Sequence, residues 1–481
     1  MQIDTLIEEC ENLIRTGSPE TAHKKLTSVH AADVSRDQRL ALANLCRRVG
    51  LISSGLRLLT PLVHPDKGVW GLEATSAELA EHAMLLRKSG TAREALSTLN
   101  RADSNQTSEV FLNRAMCHID LREYSEAVAN LEIYLKQPEI SPYKKLSASA
   151  HLASALFALD RWEQAGHFVN ETIAQSTAEN FNKITAQSLE LRARIHLNYG
   201  RFNQARADLA SSRDTVSIYK WSRIIDAMEN RDKNILLEFR QDAAAHHNWE
   251  TVREADRFHL KLEFDENRFN WLLFGTPFSA YRKSVEMEHQ RSPARQELMF
   301  GDDRAPALDL VTGEITGPMI CQAPPRLVHR LVNALLRDFY QPIPTGCLFA
   351  ELFPGEYFNV FSSVHRVHQA IHRARKWFDS QKIPVAIVES QGHYSLAING
   401  HFAVRVPYER QTLEAEARRF HALLQHFGSK GFTARQARQD LGLTPAVFKS
   451  LMNWAEETGN VSRLGAGPST RYRILAPAKS A

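Results

Sequence analysis

A chain of 481 residues with 43% hydrophobic and 24% charged residues has the composition of an ordinary soluble globular protein, and its length exceeds one domain. The net charge of +4 is concentrated toward one end: Thr412 to Ala481 holds ten basic and five acidic residues, which predicts an anionic partner there. Five scattered cysteines, Cys10, Cys46, Cys117, Cys321 and Cys347, never spaced Cys-x-x-Cys, argue against a zinc ribbon or a secreted disulfide framework. The acidic opening stretch is no signal peptide and no apolar run approaches the ~20 residues of a bilayer span, so a cytoplasmic protein with no membrane partner is expected.

Residues 1–264 read as helix after helix. Tyr124-Ser-Glu-Ala127, Trp162-Glu-Gln-Ala165 and Phe202-Asn-Gln-Ala205 each follow a short polar break. Weaker versions occur at Pro19–Ala22, Ile52–Gly55, Ala92–Ala95 and Trp249–Val252. The small residues recur 32 to 47 positions apart, the range of helical-hairpin repeats. An aromatic opening the second helix fills the gap against the first, and a small side chain three residues later lets the backbones approach. The pattern resembles tetratricopeptide repeats, without their regular length or terminal Pro. The resemblance implies a superhelix whose concave face receives a protein or peptide. The aromatics are expected to be packing, and Asn113, Arg114, His118, His151, Glu190 and Arg194 are the polar candidates for the concave face.

From Arg268 the helical period decays, and residues 265–296 read as a connecting segment. Glu297–Asp303 and Ala307–Ile315, the latter with a Thr-Gly turn between apolar-alternating runs, predict a small antiparallel sheet. Pro325 to Leu336 carries a stripe of Leu327, Leu331, Ala334 and Leu335, and Thr345 to Phe353 reads as a short second helix.

Val360 to Phe378 follows. On a helix Val360, Val364, Val367, Ile371, Ala374 and Phe378 share one side, opposite His365, Arg366, Gln369, His372, Arg373 and Lys376, with His368 and Arg375 on a flank. Ile383–Glu389 and His393–Ile398 then form a hairpin around a Gly-containing turn. The run Val367-xxx-Ile371-x-Arg373-x-Arg375-Lys376-x-Phe378, followed by Ile387-xxxx-Gly392-x-Tyr394-x-Leu396, resembles the effector domain of OmpR-like transcription regulators. The resemblance implies a winged helix-turn-helix domain over 297–406, opened by the small sheet. Its recognition helix would enter the major groove of double-stranded DNA with Arg366, Gln369, His372 and Arg373 nearest the bases and Arg375 and Lys376 nearer phosphates, and His365 is a further DNA-binding candidate on the same face. The wing departs from the family in carrying Glu389, Ser390 and Gln391 where a basic residue is usual.

Residues 407–481 repeat the theme. Leu413–Phe427 reads as a helix, Thr433 caps a second over Ala434–Leu441, and Thr444-Pro445 opens a third. On that third helix Val447, Leu451, Trp454 and Thr458 share the expected buried face, while Ala446, Lys449, Ser450, Asn453 and Glu457 point away. A hairpin of Val461–Leu464 and Tyr472–Leu475 follows. The pattern resembles the generic winged helix of bacterial repressors, with Lys449, Asn453, Arg463, Arg471 and Arg473 as DNA contacts.

No phosphate-binding Gly-rich loop, dinucleotide fingerprint, Gly-x-Ser-x-Gly turn or receiver domain is present, so no enzyme activity and no cofactor are expected. His365, His368 and His372 share a quadrant of one helix, but no Asp, Glu or Cys beside them completes a metal set. The expected fold is mainly α, a repeat solenoid followed by two tandem winged helices with small β-sheets. The expected function is DNA-binding transcription regulation, and a homodimer is compatible with the sequence. The alternative is a PCI-like assembly scaffold, which would expose an apolar rather than a cationic face on its winged domain.

Overall fold

The apolar periodicity of the first half folds into successive helical hairpins in this computed structural model. It describes residues 3–65, 73–138, 140–316, 324–408, 420, 423–424, 426–428, 431–441, 443, 445–457, 460–465 and 470–475. The pairs are α1 (Ile3–Arg15) with α2 (Pro19–Thr27), α3 (Arg36–Arg48) with α4 (Ile52–Val63), α5 (Ser76–Lys88) with α6 (Ala92–Leu99), and α7 (Glu109–Asp120) with α8 (Tyr124–Leu135). Next come α9 (Pro142–Ala158) with α10 (Trp162–Ala178), α11 (Asn182–Asn198) with α12 (Phe202–Ser212), and α13 (Thr215–Asn230) with α14 (Lys233–Ala245). The chain continues through α15 (Trp249–Leu262), α16 (Glu266–Phe274) and α17 (Ser279–His289).

The turns inside the pairs share one device. Gly17, Gly50, Gly90, Arg122, Asp160, Gly200 and Arg231 all have positive φ, the left-handed conformation that ends a helix and starts a reversal. The small residues do what their spacing predicts. Ala22, Ala95, Ala127, Ala165 and Ala205 are fully buried, and a Cβ on Gly55 would lie 2.7 Å from Leu85 Cδ2. Odd-numbered helices pack on one another, α3 against α1 and α5, α11 against α9 and α13, and α13 against α15, so they line one face of the array.

Two features differ from the sequence expectation. The 47-residue interval before Val252 hides a second helix, α14, in which Leu236 occupies the usual small position; Trp249 therefore opens a first-type helix. Residues 266–289, expected to be connecting chain, form α16 and α17, with Phe269, Leu272, Leu273 and Val285 buried.

By contacts the chain divides into two units, Met1–Ala294 with Pro324–Phe402, and Arg295–Ala323 with Ala403–Ala481. In the first, the array is joined by α18 (Arg326–Leu335), β4 (Ile343–Pro344), α19 (Thr345–Leu352), α20 (Ser363–Ser380), β5 (Val385–Ser390) and β6 (His393–Ile398), whose strands pair antiparallel in the order β4-β6-β5. Gln391 and Gly392 both have positive φ, the requirement of a two-residue hairpin turn.

In the second unit β1 (Glu297–Gly301), β2 (Ala307–Asp309) and β3 (Ile315–Thr316) do not form a meander. β7 (Ala403–Pro407) inserts between β1 and β2, giving the order β1-β7-β2-β3 with β2 and β7 parallel. The sheet expected to open the first winged domain thus groups with the C-terminal residues. Those residues form β8 (Phe432–Thr433), α21 (Ala434–Asp440), α22 (Pro445–Glu457), β9 (Val461–Leu464) and β10 (Arg471–Ile474), with strand order β8-β10-β9. Thr433 and Gln436 complete a capping box on α21. The buried face of α22 includes Phe448, Leu451, Met452 and Ala455, with Trp454 half-buried, so the expected Leu451 and Trp454 face the core and Phe448, Met452 and Ala455 join them. The expected helix over 413–427 falls largely outside the described residues, as do Thr444 and Thr458 and the side chains of Ala446, Val447, Ser450 and Glu457.

Candidate functional site

Helix α20 is backed by Val367, Ala370, Ile371, Ala374, Trp377 and Phe378, all buried, with Val364 half-buried; Val360, expected on the helix, lies in the turn before it. Its opposite face presents His365, His368, Gln369, His372, Arg373, Arg375 and Lys376, all exposed. The structure gives these residues unequal freedom. Arg366 pairs with both oxygens of Glu356, Nη2 to Oε1 at 2.9 Å, and lies 4.0 Å from the Phe353 ring centroid. Arg375 Nη2 donates to the Ile387 carbonyl at 2.8 Å, tying α20 to β5. Gln369 Nε2 lies 2.8 Å from His365 Nε2. Arg373 and Lys376 pair with no carboxylate among the described residues, which leaves two uncompensated cations one turn apart. At the hairpin turn, Glu389 Oε1 accepts from Gly392 N at 2.9 Å, so this acidic side chain stabilises the turn.

In the second unit Lys449 and Asn453 are exposed on α22, and Arg463, Arg471 and Arg473 are exposed on β9 and β10. Tyr472, between two of these arginines, packs on Phe432 and Phe448 with centroids 5.9 and 5.5 Å apart, which holds the hairpin against the core.

The segment α18–β6 is fastened to the array at two places. Near α6, Phe358 N donates to Glu94 Oε1 at 2.7 Å, Tyr357 stacks on His64 at 4.1 Å, and Cys347 Sγ donates to the Gly90 carbonyl. A Cβ on Gly346 would lie 2.5 Å from the Ser89 carbonyl oxygen, so only glycine fits there. Near α15, Arg253 Nη2 meets Asp338 Oδ2 at 2.6 Å and Tyr340 OH donates to Asp256 Oδ2 at 2.9 Å. Burial pushes the Glu94 carboxyl up to about 7, against the hydrogen bond from Phe358.

The inner face of the array holds a second candidate site, a cavity of about 300 Å³ among α7, α9, α11, α13, α15 and α17. His151 and Arg194, expected on the concave face, line it; Glu190 accepts from Ser217 and Trp221, Arg114 from the side donates to Leu99, and His118 contacts Glu123. Tyr124 and Trp162, expected to be packing, do pack and also border the cavity. Sequence reasoning missed Arg122, Glu250, Arg253, Glu254, Arg257 and Lys261. The signal was the charge stripe at helical spacing along Trp249–Leu262, which reads as a solvated face until the array curls over it.

Five cations there, Arg122, Arg194, Arg253, Arg257 and Lys261, face four carboxylates, Asp160, Glu250, Glu254 and Glu288. Arg194 is sandwiched between Phe157 and Trp221, 4.7 and 4.8 Å from their centroids. Burial alone would raise the Glu254 carboxyl, but Lys220 and Arg194 outweigh it and hold it below its ordinary value. Burial, reinforced by Arg87, pushes the His151 imidazole down.

No family model and no curated protein matches the chain. Among solved structures it is similar to a tetratricopeptide repeat protein from Parabacteroides merdae ATCC 43184, at 19% identity and a TM-score of 0.37 over 55% of this chain and 99% of that one. It is also similar to the Rap conjugation gene regulator of the plasmid pLS20 in complex with the Phr* peptide, at 9% identity and a TM-score of 0.34 over 79% of this chain and 97% of that one. Among the described residues no helix is long and apolar enough to cross a membrane.

Proposed function

We propose that the protein is a DNA-binding transcription regulator. In this reading α18–β6 is an OmpR-like winged helix-turn-helix, the C-terminal residues form a second winged helix, and the repeat array receives a protein or peptide signal on its concave side. The single observation that carries the reading is the exposed cationic face of α20, with Arg373 and Lys376 unpaired with any carboxylate among the described residues and the opposite face buried. A helix so backed enters a major groove with its polar face toward base edges and its cations toward phosphates. His365, Gln369, His372 and Arg373 are the base-facing residues; Arg463, Arg471 and Arg473 supply phosphate contacts that the acidic wing at Glu389 does not. Arg366 and Arg375, each with a partner inside the fold, act mainly by fixing the helix. An assembly scaffold would instead place apolar residues on the outer face of α20, where histidines, arginines and a lysine stand.

Anisotropy titration of a labelled duplex, chosen by selection from fragmented genomic DNA, tests this with the full-length protein and Arg373→Glu/Lys376→Glu. Loss of at least ~100-fold in affinity is expected, since phosphate-directed cations become repulsive. Unchanged affinity at moderate salt would remove α20 as the reader.

A further inference from the structure

Three buried polar atoms on the cavity wall have no hydrogen-bond partner among the described residues: Arg194 Nε, Arg253 Nε and Tyr281 OH. Buried polar groups are almost always satisfied, so such a cluster marks a place where a partner belongs. Glu254 Oε2, on the same wall, is already taken by Lys220. All three atoms can donate, and the carboxylate oxygen nearest to Arg253 Nε, Glu250 Oε2, stands 3.4 Å away. Cations outnumber carboxylates on the wall, and aromatic rings of Phe157, Trp221, Phe278 and Tyr281 supply its apolar part. What is missing is an acceptor carrying negative charge.

Arg253 has a second attachment. Its Nη1 donates to Thr276 Oγ1 at 2.8 Å and its Nη2 holds Asp338, in the segment between α18 and β4. The guanidinium lies 4.8 Å from the Tyr340 ring centroid, and the whole side chain is 98% shielded. One buried cation therefore faces the cavity on one side and grips the α18–β6 segment on the other.

We propose that the cavity binds a ligand bearing an oxyanion, carboxylate or phosphate, on an aromatic or apolar body, and that this ligand competes with Asp338 for Arg253. The unpartnered donors lie just beneath the wall, so the oxyanion draws the side chains inward. For Arg253 that motion loosens the contact with Asp338 and frees residues 338–340 from α15. Binding at the cavity and attachment of the α18–β6 segment are then linked, each weakening the other by the same factor. Only the consequence for DNA rests on the regulator reading; the competition itself is independent of it.

Calorimetric titration of the full-length protein with phenyl phosphate, phenylacetate and the neutral 2-phenylethanol tests the proposal without DNA. One or both anions should bind and the alcohol should not; the anion that binds more tightly identifies the oxyanion. Arg194→Gln should weaken binding by roughly tenfold, the loss of a charge-assisted contact. Tyr281→Phe, which deletes a hydroxyl idle in the free protein, should leave thermal stability unchanged or higher while weakening binding several-fold. Asp338→Asn should tighten binding about fivefold by removing the competitor. Equal binding of the alcohol, no binding of either anion, or unchanged or weaker binding by a folded Asp338→Asn protein would overturn the proposal. If these outcomes hold and α20 fails to bind DNA, the cavity stands and the regulator reading falls.

Discussion

Among the arginines of α20, structural partnership separates two roles that sequence spacing merges. Arg366 is clamped by Glu356 and lies over Phe353, whereas Arg373 is exposed and pairs with no carboxylate among the described residues. Arg366→Gln should therefore cost stability, about 1 kcal/mol for the lost pairing and ring contact, and Arg373→Gln less than about 0.5 kcal/mol. DNA affinity should show the reverse order, and urea unfolding beside anisotropy would read both. Glu94 supplies a second residue-level prediction. Its carboxyl is raised to about 7 from an ordinary 4.5, so the folded chain holds the proton more tightly than the unfolded one. Its contribution to stability is full below about 4.5 and is lost as pH rises through about 7. Glu94→Gln keeps an acceptor for Phe358 N–H and should flatten this loss. The wild type should fall relative to it by on the order of 1–2 kcal/mol between pH 5 and 8, as followed by thermal melts.

At the scale of elements, the left-handed turns set a uniform hairpin geometry, and most use glycine. Arg231, which caps α13 at φ 51°, carries a Cβ where glycine would carry none. Arg231→Gly should stabilise the protein by about 1 kcal/mol, measurable as a raised urea midpoint. Gly346→Ala should act oppositely: its Cβ meets the Ser89 carbonyl, so α19 must shift from the turn before α6, a cost of about 1–3 kcal/mol. These helical pairs were legible because break, aromatic and small residue fall at fixed offsets, and α20 because Val364, Val367, Ile371, Ala374 and Phe378 share one side. On α22 the expected Leu451 and Trp454 do face the core, and Phe448, absent from the expected stripe, joins them beside Tyr472. The partnership of β7 with β1 and β2 joins residues about a hundred apart, and strands of five and three residues carry no pattern that specifies such a partner. The charges of α15 carried no reading for a related reason: whether a charged stripe faces water depends on what the array folds over it.

For the molecule as a whole, an inner cavity, a buried arginine and an outward cationic helix lie within one unit of the chain. Arg253 and Asp256 on α15 and Glu94 on α6 hold the α18–β6 segment from two places, so the helix proposed to read DNA is carried on the array proposed to receive the signal. The net charge of +4 is too small for indiscriminate adhesion to nucleic acid, so binding should depend on a few placed cations. The most direct measurement is the salt dependence of binding by the full-length protein to its selected duplex and to a scrambled duplex, repeated with Arg373→Gln/Lys376→Gln. The account predicts a preference for the selected site of at least ~1,000-fold and a steep inverse salt slope, which the double variant reduces by up to about 2. Equal affinity for both duplexes, or a slope untouched by removing the two cations, would contradict it.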